Sequence, residues 1–269
     1  MPYMLAVMTL PVLMYHSVST AEAAPLRALA VPPQRLREQL SALAGLGYAL
    51  VGLTEALMVK EKNPDEPVVA VTFDDGYLDF LTAGLDVLGD VGATATLYVC
   101  PGHTGPGAAV MASTATFGPL LTWDQVREVA AAGVEIGNHS LIHHPLDVLP
   151  PAVLDREVRD SKDQLEQEIG AAVPSFAYPH GYHSARVRAT VARYGHDHAC
   201  EVGRALYEPP GARFAIPRLY LTPDHDGAAT LAAVRSGHPG LLPRLRRTAR
   251  PAWRAVRWAA LHGLGRTLT

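Results

Sequence analysis

The chain has 269 residues, 48% hydrophobic and 18% charged, long enough for one large domain with a full core and too apolar for a disordered segment. Its formal net charge of −3 hides an asymmetry: residues 241–269 carry seven arginines (244, 246, 247, 250, 254, 257 and 266) and no acidic residue, whereas residues 1–240 hold 16 basic and 26 acidic side chains. The acidic body argues against nucleic-acid binding by the main domain, the two cysteines (Cys100 and Cys200) do not make a disulfide framework, and no apolar run reaches the length of a transmembrane helix.

Met1 to Tyr15 is apolar but lacks a basic start and a small-residue cleavage site, so it reads as the approach to a first strand rather than a signal peptide. A cytoplasmic location is expected on this reading. Pro11–Tyr15 is predicted as the strand, with His16 at its end. Leucines 36, 40 and 43 place a helix over Gln34–Leu46. A short strand at Tyr48–Leu50 precedes a helix capped by Thr54 and running through Met58. Pro67–Val71 is short, apolar and β-branched, and its strand delivers Thr72-Phe73-Asp74-Asp75-Gly76 to its C-terminal end, where glycine permits a sharp turn.

A helix over Tyr77–Leu88 and a strand over Thr94–Val99 follow. The Gly- and Pro-rich stretch Cys100–Pro119 is a candidate lid or binding loop. It has no Gly-Lys-Ser/Thr ending, so a phosphate cradle is not expected. Thr122 caps a helix to Ala132, stopped by Gly133. Val134–Gly137 is a short strand ending in Asn138-His139. Pro151–Ile169 is the clearest helix, with apolar residues at 154, 158, 165 and 169 over a charged face. A strand over Ser175–Tyr178 ends in Pro179-His180-Gly181, a helix spans Ser184–Tyr194, and residues 197–202 and 214–221 form two further strands. Strands alternating with helices at this spacing predict a mostly parallel α/β architecture, nearer a (β/α) barrel than a sandwich.

Two adjacent carboxylates raise each other's pKa unless a cation holds one ionised. Three histidines, His139, His143 and His144, fall within six positions directly after a strand, and imidazoles four residues apart can face one ion. The third stretch, Ser175-Phe176-Ala177-Tyr178-Pro179-His180-Gly181, fixes a tight turn around His180. No Gly-x-Ser-x-Gly is present, which disfavours a serine acyl-enzyme.

With these three stretches, residues 10–235 resemble a polysaccharide deacetylase of the NodB-homology type (carbohydrate esterase family 4). The resemblance implies an α/β fold of the distorted (β/α) barrel kind and a divalent metal, zinc foremost. It implies N-acetylated sugars in a polysaccharide, oligosaccharide or glycolipid as substrate. Carried over by position, it makes Asp74 the catalytic base and Asp75, His139 and His143 the metal ligands. His144 stands as the alternative ligand, because it intervenes before Pro145 where the family has proline directly. Leu146 and Leu149, at +7 and +10 from His139, favour His143. The family's arginine is missing from the third stretch, and Arg218 is the candidate replacement for orienting Asp74. No C-terminal Leu-x-His is evident. Met14-Tyr15-His16 resembles the permuted arrangement of some members, which makes His16 the general acid. The backbone N–H of His180 becomes an oxyanion donor, and Tyr178, Pro179, Gly181 and Trp123 are expected to line the substrate cleft.

Two rival readings stand beside this one. The first is a same-fold amidase or imidase acting on a non-sugar C–N bond. The second is a silent sugar-binding domain, whose expected mark, loss of an aspartate or metal histidine, is absent. Residues 236–269 form a separate basic tail. Arginines 246, 250, 254 and 257 fall on one helical stripe beside Trp253 and Trp258, a pattern for peripheral contact with anionic lipid and equally for a solvated basic tail.

Overall fold

The computed structural model describes residues 9–20, 26–105, 118–203, 205–237, 253 and 256–259. Nine strands form one parallel sheet: β1 (Val12–Tyr15), β2 (Ala49–Val51), β3 (Val68–Phe73), β4 (Thr96–Val99), β5 (Glu135–Asn138), β6 (Ser175–Ala177), β7 (His198–Glu201), β8 (Ile216–Pro217) and β9 (Leu219–Tyr220). Their order is β8-β7-β6-β5-β4-β3-β1-β9, with β2 paired to the first half of β3. The predicted strand over 214–221 is in fact two. β8 pairs with β7 at one edge, β9 pairs with β1 at the other, and Arg218 sits at the crossing. The chain therefore all but closes the sheet into a barrel in five residues.

Alternation along β3 explains what each face does. Val69, Val71 and Phe73 join the larger apolar cluster with α1 (Pro33–Ala44). Val68 and Ala70 belong to a second cluster with Tyr98, Ala177, Cys200 and residues of α2 (Leu53–Lys62). Thr72 and Asp74 continue this second register into the barrel. The interior is narrow. A Cβ on Gly137 would stand 2.4 Å from the Tyr98 ring, so only glycine lets that ring fill the barrel there. Cys100 and Cys200 are buried and unpaired.

Thr54 does not cap α2, and the helix runs past Met58 to Lys62. Tertiary partners supply the cap instead. Thr96 Oγ1 accepts the Leu53 N–H at 2.8 Å, and the Glu135 carboxylate accepts the Thr54 N–H at 3.2 Å. The predicted helix over 77–88 is a π turn (Phe80–Gly84) that leads into α3 (Leu85–Asp90). Thr122 caps α4 (Trp123–Ala131) through a full capping box with Gln125. α5 (Pro151–Ile169) has the predicted bounds. α6 (Ala185–Arg193) is capped by Ser184, and α7 (Gly227–Ser236), which no sequence signal had marked, by Asp226. Residues 106–117 of the predicted binding loop lie outside the described residues. Among the described residues, no helix is long and apolar enough to cross a membrane.

Candidate metal centre

The C-terminal ends of β1, β3, β5 and β6 converge on one mouth of the barrel, the end where barrels of this kind carry their chemistry. Asp74 continues β3 and points inward, its N–H bonded to the Tyr15 carbonyl at 3.0 Å. Asp75 and Gly76 both take left-handed backbone (φ +75° and +76°), which swings the second carboxylate away from the first. Fully buried Arg218 donates to both oxygens of Asp74 at 2.6 and 2.7 Å, and to Thr72 Oγ1 at 3.1 Å. Burial alone would raise the Asp74 pKa, but the guanidinium, with help from the nearby imidazoles, holds it down at about 2. Asp75 has no such cationic partner, only a hydrogen bond with the Tyr77 side chain. Burial and the neighbouring Asp74 charge push its carboxyl up to about 6.

Asp75 Oδ1 faces His139 Nε2 at 3.5 Å and His143 Nε2 at 3.4 Å, and it is buried without a hydrogen-bond donor. The His139 ring sits at the end of β5 and donates from Nδ1 to the Ala177 carbonyl at 2.8 Å, which leaves the Nε2 lone pair toward Asp75. Burial lowers the pKa of both His139 and His143, keeping the imidazoles neutral, the form that ligates. His144, the alternative ligand, turns away. Its Nδ1 lies 3.2 Å from Glu157 Oε1, and that carboxylate raises its pKa. The left-handed backbone of His143 (φ +61°) sends the two neighbouring rings in different directions.

These residues fit a divalent cation. Ligand atoms 2.0–2.2 Å from one tetrahedral ion stand about 3.3–3.6 Å apart, which is the spacing of the Asp75–histidine contacts. A buried carboxylate oxygen with no hydrogen-bond donor is a group that a cation would satisfy. Two imidazoles and one carboxylate are a donor set that suits zinc and its first-row neighbours.

His16, at the end of β1 with its side chain 15% exposed, brings Nε2 to 3.9 Å from Asp74 Oδ2. Burial lowers its pKa, while Asp74 and Asp75 pull the other way. The His180 ring meets His143 edge-on at 4.5 Å, and burial pushes its pKa down to about 4. Four non-glycine residues among those described have positive φ: Asp75, Ser140, His143 and His180. All four lie in this site, where backbone strain is held by the surrounding structure.

Three expected cleft residues are corrected. The Tyr178 ring is fully buried against Phe176 and His183 and donates to the Phe214 carbonyl at 3.0 Å, so it packs the body instead of meeting a ligand. Pro179 is buried, and Gly181 (φ +71°) lies so close to Val202 that a Cβ would come within 2.8 Å of its backbone nitrogen. Both shape the turn that presents His180. Trp123 begins α4 and lies under Gly105, at the start of the long loop.

Sequence reasoning missed the support behind the histidines. Glu157 of α5 is buried, and its Oε2 accepts the N–H groups of Leu141 and Ile142 at 3.0 and 3.2 Å. Asn138 accepts the Ser140 N–H at 2.9 Å and reaches Ser161 Oγ (2.9 Å) and His196 Nε2 (3.2 Å). A glutamate on the apolar stripe of a helix was the available signal. Arg257 was also misread. Read as part of an exposed stripe, it is buried, pairing with both oxygens of Asp147 at 2.8 Å. Arginines 246, 250 and 254 lie outside the described side chains.

A nearly closed parallel barrel with a carboxylate–histidine cluster at its C-terminal mouth defines the class, a barrel of the deacetylase kind. The model of the polysaccharide deacetylase family matches residues 61–199, more than half of the chain, and the chain belongs to that family. It is similar to YxkH of Bacillus subtilis, itself assigned to the polysaccharide deacetylases, at 26% identity over 84% of this chain and 76% of the relative. It is also similar to the chitooligosaccharide deacetylase of Rhizobium leguminosarum bv. trifolii, at 28% identity over 66% of this chain and 71% of that one. Among solved structures, the Streptococcus pyogenes deacetylase PplD in complex with acetate superposes with a TM-score of 0.72 at 25% identity, covering 84% of this chain and 98% of its own. IcaB from Ammonifex degensii gives a TM-score of 0.71 at 22% identity, over 85% and 97%, a likeness of fold.

Proposed function

We propose that this protein removes N-acetyl groups from amino sugars in a polysaccharide or oligosaccharide, with a divalent ion, zinc by its donor set, held by Asp75, His139 and His143. The observation that carries the proposal is the donor-free Asp75 oxygen 3.4–3.5 Å from two imidazole nitrogens, beside a second carboxylate held ionised by an arginine. When bound, such an ion lowers the pKa of water and polarises the acetamide carbonyl.

The protein's own groups would do the rest. Asp74 accepts the proton of the attacking water through a lone pair that Arg218 leaves unused, and Arg218 fixes its direction. Gly181 and Tyr182 spend their N–H groups closing the turn onto the Tyr178 and Pro179 carbonyls, which leaves the His180 N–H to face the developing oxyanion. His16 hands a proton to the departing amine, which cannot leave as an anion. Its place beside Asp74 supports this role, because the carboxylates offset part of the lowering that burial imposes on the ring.

The test is acetate release from N-acetylglucosamine oligomers. Chelation should abolish release and zinc or cobalt should restore it, whereas full activity in protein shown to be metal-free by elemental analysis would overturn the reading. Asp74→Asn should keep the ion and lose turnover. Loss of the ion in that variant would mean that the two aspartates have exchanged roles.

A further inference from the structure

A line of rings leads outward from the cluster. His139 and His143 lie 4.8 Å apart, His143 and His180 4.5 Å, and His180 and Tyr182 5.7 Å. The line continues into the C-terminal segment, whose residues 253 and 256–259 are helical: Trp253 Nε1 donates to the Tyr182 hydroxyl at 3.0 Å. Arg257 holds this contact in place, its guanidinium carbon 3.5 Å from the Tyr182 ring centre while both its ends are taken by Asp147. Asp147 lies in the turn that follows His143 and His144, and Tyr182 in the turn that carries His180. One arginine thus joins the two turns around the candidate centre. Trp253 and Trp258 nevertheless remain 40% and 54% exposed, and with Val256 they make up three of the five exposed large apolar side chains among the described residues.

We propose that Tyr182 and Trp253 form a saccharide subsite, which takes the apolar face of a pyranose ring neighbouring the one whose acetamide is cleaved. The subsite rests on the amino-sugar reading above. A pyranose offers a flat face of C–H groups bordered by hydroxyls, and a fixed indole or phenol offers the matching apolar face with a polar edge. Because Arg257 already holds the rings, little ordering is left for the ligand to impose. The same contact argues against a lipid headgroup, since Arg257 points into the body and its charge is matched by Asp147.

The test uses the full chain and N-acetylglucosamine oligomers from two to five units. Binding is followed by titration calorimetry and indole fluorescence in metal-free protein, and KM in the zinc-loaded protein. The wild type should prefer longer oligomers. Trp253→Ala should weaken binding of the pentamer about tenfold, the size expected for one lost ring, and flatten the dependence of KM on length. Trp253→Phe should recover most of that affinity while losing the fluorescence change. A length dependence unaltered in Trp253→Ala would overturn the subsite, and acetate release in the same assay would leave the deacetylase reading standing. Wild-type protein that binds oligomers through Trp253 without releasing acetate would do the reverse. Wild-type protein that binds no oligomer overturns the subsite. Loss of binding to vesicles of anionic phospholipid in Trp253→Ala, with oligomer binding intact, would also overturn it and assign the tryptophans to a membrane.

Discussion

The Asp74–Arg218 pair is fully buried, and each partner satisfies the other in two parallel hydrogen bonds. Removing one member strands the other's charge. Arg218→Ala is therefore expected to cost about 3–5 kcal/mol, read as a lower urea midpoint with little change in slope. The Asp74 carboxyl titrates at about 2 in the folded protein, below its ordinary 3.8, so its contribution is present above pH 4 and is lost as pH falls through 2. At the neighbouring ligand set, position decides between two chemically equal histidines. His143 lies 3.4 Å from Asp75, whereas His144 is engaged with Glu157. His143→Ala should lower zinc affinity, measured by chelator competition, far more than His144→Ala. The opposite ranking would show that the pair rearranges when the ion enters.

α5 does more than cover the sheet. Leu154, Val158 and Leu165 form its buried stripe, and Glu157 and Ser161 in the same stripe reach the loop between Asn138 and His144. That loop has left-handed residues at Ser140 and His143, so its backbone groups need partners from outside it. Glu157→Ala would leave two partly buried N–H groups without an acceptor. It is expected to reduce zinc affinity by about 10–100-fold, the usual scale for losing support behind a ligand, and chelator competition would measure it. Unchanged affinity would mean that the loop holds its shape unaided. The two-residue strands β8 and β9 show the same economy, closing the barrel and delivering Arg218 in one crossing.

Across the whole molecule, several imidazoles are buried in neutral form. Burial pushes His196 down to about 4 and His198 to about 3. Both values lie below the unfolded 6.5, so the unfolded chain binds these protons first and acid destabilises the fold. The loss should begin as pH falls through 6.5 and continue to about 4 for His196 and 3 for His198, with His196 alone worth on the order of 3 kcal/mol. Urea titrations at stepped pH would measure it, and His196→Gln should flatten the upper part of the curve. A flat profile between pH 6.5 and 4 would mean that His196 is protonated in the fold. Protonation would also remove the acceptor from Asn138, whose own oxygen holds the Ser140 N–H. Acid should therefore loosen the histidine loop along with the barrel.

Local physics was legible from the residues alone. The apolar run before Asp74-Asp75-Gly76, the stripe of α5 and the capping residue Thr122 depend on neighbours a few positions away, and the structure has them where the pattern puts them. The His139–His143 spacing belongs with these, because it lies within one loop. What only the tertiary structure decided lies between distant segments. The family resemblance named Arg218 as the partner of Asp74, but no local pattern spans the 144 residues between them, and the contact is made only when β8 and β9 attach to opposite edges of one sheet. Tyr178 looked like a cleft residue, but pleating at the end of β6 turns its ring toward α5 and α6. Arg257 looked like part of a solvated stripe, but Asp147, 110 residues earlier, draws it inside. Periodicity reports which face of an element is apolar. It carries no record of which distant charge will stand opposite, because that depends on strand register and on the closing of the barrel.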